Sequence, residues 1–180
     1  SDGASNITKL VQANMNISRI NRPLLGLFDN DSTGRLEFDK LKNIKVIPDT
    51  IFRQIGHKGG VFAGTLDMPA HLSDVSQTFR AMGLSLPIPI EYMFKSEVLN
   101  LAIEQNVLEL RPRTTRFADN ELPLQINASE HLSQYVPADM QYLVQKLSDS
   151  SKIPFADWVC DQEPQSFDVF AVLFESLVEV

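Results

Sequence analysis

Residues 24–41 read Leu-Leu-Gly-Leu-Phe-Asp-Asn-Asp-Ser-Thr-Gly-Arg-Leu-Glu-Phe-Asp-Lys-Leu. A 12-residue loop counted from Asp29 puts Asp29 at position 1, Asp31 at position 3 and Thr33 at position 5. Oxygen donors at alternate positions suit Ca²⁺, a hard cation that takes roughly six to eight oxygens. Gly34 falls at position 6, where such a loop turns sharply with φ > 0. Arg35 at position 7 could offer only its carbonyl, and Glu37 stands at position 9. Leu36 at position 8 is the apolar residue expected to meet a partner loop. Phe28 before the loop and Phe38 and Leu41 after it suit the packing of flanking helices. Position 12, which should bring a bidentate carboxylate, holds Lys40. Lysine supplies no oxygen and adds a positive charge where the ion would sit, so no metal and no cofactor are expected.

The spacing resembles an EF-hand that keeps its shape without its ion, which predicts helix–loop–helix units. Ile17, Ile20, Leu24 and Phe28 recur at helical spacing from Met15 to Phe28, with Pro23 at a kink or in a first turn. Further helices are expected over Glu37–Val46 and over Asp49–Ile55, the latter with Asp49 as N-cap and Gly56 as stop. Residues 61–86 read as two short helices, one carrying the stripe Leu72, Val75, Phe79 and Met82 up to Gly83. The longest helical pattern runs from Ile90 to Leu110. Residues 111–136 read as an irregular loop with the basic cluster Arg111, Arg113 and Arg116, a candidate docking point for a phosphate or an acidic tail. Pro137 then opens a helix to Leu147, a second begins near Pro154, and a third carries Phe167, Phe170, Val172, Leu173, Phe174, Leu177 and Val178. Residues 1–10 read as a polar lead-in.

The C-terminal string carries a second resemblance. Ile153 and Phe155 match the apolar loop positions, Asp157 the last ligand position, and Trp158 the packing residue after it. Glu163-Pro164-Gln165-Ser166 and a hydrophobic helix follow. Together with Asn30-Asp-Ser-Thr-Gly-Arg-Leu36, Leu24–Phe28 ahead of it, and Met68-Pro-Ala-His-Leu-Ser-Asp-Val, this resembles the EF-hand-like region of the dystrophin/dystrobrevin family. The likeness covers about residues 15–56, 60–98 and 147–180, and 99–146 reads as an insertion. It implies two packed pairs of degenerate EF-hand-like units in a mostly α fold. The expected segments are 1–56 with a lead-in, 57–98, 99–146 and 147–180. It also implies a non-enzymatic scaffold of a cytoskeletal or membrane-cortex adaptor, cytoplasmic, with protein partners tied to the cytoskeleton or to a membrane receptor. One Trp and one Cys leave no room for the WW domain and ZZ zinc finger that accompany the region in that family.

Composition agrees with a folded, non-nucleic-acid protein. The 180 residues are 43% hydrophobic with net charge −7, enough for a core and of the wrong sign for a nucleic-acid footprint. Charge is split: residues 1–60 carry nine Lys/Arg against six Asp/Glu, and residues 119–180 two against eleven. The acidic third is a solvated face or the complement of a basic partner. A single Cys allows no intramolecular disulfide, and the four Asn-x-Ser/Thr triplets are read as unused. The opening at Ser1 points to processing or to excision from a longer polypeptide. No apolar run approaches the length of a membrane-spanning helix. No nucleotide-binding glycine motif occurs. Two alternatives stand beside the scaffold reading. One is a calcium-responsive module using Asp29, Asp31 and Glu37. The other is an unrelated helical enzyme or effector domain, in which Cys160 would need His57, His71 or His131 beside it.

Overall fold

The computed structural model describes residues 2–15, 23–41, 44–56, 60–115 and 132–178. Two compact units emerge. The first comprises Ser1–Asp67, Ile88–Ile90 and Ala171–Val180, and the second Met68–Pro87 and Glu91–Phe170.

The first unit is mixed α/β. Helix α1 (Asp2–Asn14) is followed by β1 (Leu24–Phe28), α2 (Ser32–Asp39), β2 (Ile44–Val46), β3 (Phe52–Ile55) and β4 (Val61–Thr65). The strands form one sheet in the order β1-β4-β3-β2. β1 runs parallel to β4 with Leu24 opposite Val61, and the other pairs are antiparallel, with Phe52 opposite Gly64 and Ile44 opposite Ile55. Val11 of α1 joins Phe28, Phe38, Ile55, Val61 and Ala63 in one core. Phe28 and Phe38 meet edge to face at 5.8 Å. Gly26 permits the close approach of α1, since a Cβ there would stand 2.8 Å from the Val11 side chain.

This sheet overturns the expectation of a mostly α fold of paired EF-hand-like helix–loop–helix units. The stretch before Asp29 is a strand where a helix was expected, Ile44–Val46 and Phe52–Ile55 are strands, and Asp49 lies at φ 60° in the turn between them rather than capping a helix. The physical reason is length. Segments of three to five residues, such as Ile44-Lys-Val46 and Phe52-Arg-Gln-Ile55, satisfy helical and extended patterns alike, and pairing with a neighbouring strand decides between them. The reverse error occurs at the N-terminus. The supposed lead-in is a helix whose Ala4, Ile7 and Val11 face the core, a three-to-four-residue spacing that is plain in the sequence.

The second unit is mainly helical. It holds α3 (Ser73–Ala81), α4 (Ser96–Glu104), α5 (Lys152–Gln162) and the first turn of α6 (Asp168–Val178), together with a ribbon of β5 (Leu110–Thr115) and β6 (Gln145–Leu147). Short 3₁₀ segments at Ala70–Leu72, Ile90–Met93, Ala138–Leu143 and Pro164–Phe167 connect them. α3 matches its expected stripe: Leu72, Val75 and Phe79 are buried, and Gly83 at φ +77° follows its end. The expected Ile90–Leu110 helix is interrupted. Lys95 is extended, α4 begins at Ser96, Asn106 takes φ 56°, and the chain then enters β5. The helix expected from Pro137 to Leu147 is a 3₁₀ segment followed by β6, where Leu147 pairs with Leu110. Phe94 stands at the centre of an aromatic cluster, edge to face with Phe155, Phe167 and Phe170 at 5.4–5.6 Å.

Candidate functional site

The Asp29–Lys40 loop spends its oxygens on the protein. Asp29 Oδ1 accepts the Ile90 backbone N–H at 2.9 Å. Asp31 caps α2, its Oδ1 accepting the Gly34 N–H at 2.7 Å. Glu37 pairs with Lys40 one turn on, and that ammonium holds its carboxyl below the ordinary carboxylate value. Gly34 is not the positive-φ pivot of an ion loop. It is buried in the first turn of α2, where a Cβ would stand 2.0 Å from the Asp29 carbonyl oxygen. Leu36, expected to pair with a partner loop, is 65% exposed, whereas Phe38 is buried. Thr33 and Arg35 lie on the exposed side of the same short helix. Among the described residues no group of three or more His, Cys, Asp or Glu is arranged to hold a metal ion.

The C-terminal string is dispersed by α5. Phe155 is buried, Trp158 is half-buried and stacks on Phe155 at 6.3 Å, and Ile153 is 74% exposed. Trp158 donates its indole N–H to Gln105 Oε1 at 3.0 Å and, with Pro154 and Asn106, lines an open groove of about 460 Å³. Asp157 and Cys160 are exposed on the same helix. Arg111 is bound to Asp149 at 2.9 Å. The side chain of Arg113, and all of Arg116, His57 and His131, lie outside the described residues.

Glu163–Ser166 leads to the larger site. Glu163 Oε2 accepts the Gln165 side-chain amide at 2.6 Å. Gln165 and Ser166 then form part of the wall of a cavity of about 720 Å³ within the second unit. Its inner wall includes Pro69, Met93 and Ser96, all buried, with Met140 and Val169 less so. Its exposed edge carries Lys95 and Glu97 from the start of α4, Asp139 from the 3₁₀ segment, and Asp168 from the first turn of α6. Local chemistry sets these positions. Asn100 on α4 donates to the Asp139 backbone carbonyl at 2.7 Å, fixing the 3₁₀ segment beside α4. The Ser96 and Tyr142 hydroxyls bond to one another at 2.8 Å, and Tyr92 donates to the Tyr142 carbonyl at 2.5 Å.

His71 also lines the cavity. Among the described residues its buried Nε2 finds no hydrogen-bond partner. Burial pulls the imidazole below its ordinary pKa, with Glu97 opposing the shift and Lys95 adding to it. At neutral pH the ring is therefore uncharged, and the cavity edge holds three carboxylates against one ammonium. Burial likewise pushes the Tyr142 phenol up. Ser96 has its hydroxyl committed to Tyr142, and Cys160 is not part of the cavity wall. The sequence reading missed this cavity. Gln165 and Ser166 are the part of its wall that the sequence singles out, because the other walls come from segments up to about 100 residues apart.

No helix among the described residues is long and apolar enough to cross a membrane. Comparison of the chain with protein families, with curated proteins and with solved structures finds no match.

Proposed function

We propose that this protein is a calcium-independent, non-enzymatic interaction module that receives a side chain of a protein partner in the cavity of its second unit. The observation that carries this reading is the cavity itself. A volume of about 720 Å³ is within the range of roughly 300–1,000 Å³ common to ligand sites, and its apolar interior with charges at the edge is the usual build of such sites. The Ser96–Tyr142 pair locks the wall rather than supplying a reactive group. The loop carboxylates are engaged within the chain, which supports calcium independence. A scaffold role in an adaptor at the cytoskeleton or membrane cortex, in the cytoplasm, is the cellular setting proposed with it, on the strength of the Asp157-Trp158 and Glu163–Ser166 likeness.

Selection of random peptides on the full chain tests the reading, with Val169→Trp as a filled-cavity control. Selected peptides should lose binding to the filled variant while its melting temperature stays near that of the parent. Peptides indifferent to the filling would overturn the assignment of the cavity as the docking point.

A further inference from the structure

The geometry points to a basic side chain, arginine or lysine, as the group this cavity takes. The inference rests on the docking role proposed above and specifies the partner's chemistry. Arginine and lysine have an apolar stem of three or four methylenes that packs on apolar surface while the charged head stays near water. The cavity has matching parts in matching order. Met93, Met140 and Val169 offer apolar wall to a stem, and the exposed Glu97, Asp139 and Asp168 offer carboxylates to a head. These three acids come from three different elements, α4, the Ala138–Leu143 segment and α6. They are not one solvated helix face. Among the described residues Lys95 is the one ammonium lining the same cavity, which gives their side chains there a charge of −2 with His71 neutral. An anionic or purely apolar side chain would meet net repulsion or leave these acids without gain. The charge of the surrounding second-unit segment agrees: residues 132–170 carry two Lys/Arg against six Asp/Glu, which favours approach of a basic segment.

The test uses the full chain labelled on its five methionine methyls, of which Met93 and Met140 report on the cavity. The probes are butylguanidinium, butyrate and 1-butanol, which share a stem and differ in head. Butylguanidinium should shift Met93 and Met140 saturably, and butyrate should not. Glu97→Gln/Asp139→Asn/Asp168→Asn together should weaken butylguanidinium about tenfold, as expected for three exposed charges. The single exposed change Asp139→Asn, expected to weaken it less, keeps the test available if the triple variant is poorly folded. If butyrate or butanol shifts the two methyls as strongly as butylguanidinium, or if the neutralised variants bind it unchanged, the cationic specificity is overturned while the docking cavity stands. If no probe shifts Met93 or Met140 and the peptides selected above also ignore Val169→Trp, both readings fall.

Discussion

Asp29 and Ile90 are 61 residues apart, yet the Asp29 carboxylate accepts the Ile90 backbone N–H at 2.9 Å. The next turn of chain continues the link, since Asn30 and Ile88 exchange backbone hydrogen bonds at 2.8 and 3.0 Å. The residue best placed by sequence to begin an ion loop instead tethers a distant segment. Asp29→Ala should lower stability by about 1–2 kcal/mol, the usual cost of a charge-assisted hydrogen bond. Asp29→Asn, which keeps an acceptor, should lose less. Urea melts of the three proteins, with and without millimolar Ca²⁺, check this, and a melt that rises with Ca²⁺ in the parent but not in Asp29→Ala would restore the ion-loop reading.

Gly34→Ala probes the same turn by a different force. The added methyl would stand 2.0 Å from the Asp29 carbonyl oxygen, a backbone atom that cannot swing aside. A loss of about 3 kcal/mol or more is expected, in the range of severe overpacking. Gly83→Ala is the reference. A Cβ there meets open space, so only the strain of φ +77° is felt, and a cost of about 1 kcal/mol is expected. Equal losses in thermal melts would show that contact with Asp29 is not the cause.

Stability should fall on mild acidification through His71. Its folded pKa lies below the ordinary 6.5, so the folded state binds fewer protons than the unfolded chain in the window beneath that value. The contribution is therefore complete above about pH 6.5 and declines as pH drops from there toward the folded pKa. His71→Gln should flatten this part of the melting-temperature profile between neutrality and pH 5. A profile that keeps its slope in the variant would place the pH dependence elsewhere.

Tyr142 and Ser96 form a closed hydroxyl pair beside the cavity. Tyr142→Phe should cost about 1–2 kcal/mol by leaving the buried Ser96 hydroxyl without its partner. Adding Ser96→Ala should recover part of that loss. Additive losses in denaturant melts of the double variant would mean that the two hydroxyls are not coupled.

Lys152 and Glu91 pair at 3.1 Å, with Glu91 95% buried and Lys152 about a third exposed. Lys152→Met strands a buried carboxylate, and a loss of about 2–3 kcal/mol is expected after allowance for that exposure. Glu91→Gln in the same chain should return much of it, because the charge that needed compensation is gone. A Lys152→Met melt superimposable on the parent would show that solvent already satisfies Glu91.

The legible parts of the fold were those specified by local chemistry. The Leu72–Val75–Phe79 stripe with Gly83 beyond it marks α3, and Pro154 in a first turn marks α5. The apolar run after Ser166 marks α6. The sheet was not legible. β1, β2, β3 and β4 are three to five residues long, and their strand partners lie up to 37 residues away, so no local pattern distinguishes them from short helical turns. The cavity belongs to the same class. Ala70, Ser96, Asp139 and Gln165 meet only after the chain has packed, and its volume and charge balance are sums over elements that local sequence cannot take. Side-chain chemistry and turn signals are set residue by residue, whereas strand pairing and the shape of a void depend on contacts between residues far apart in the chain.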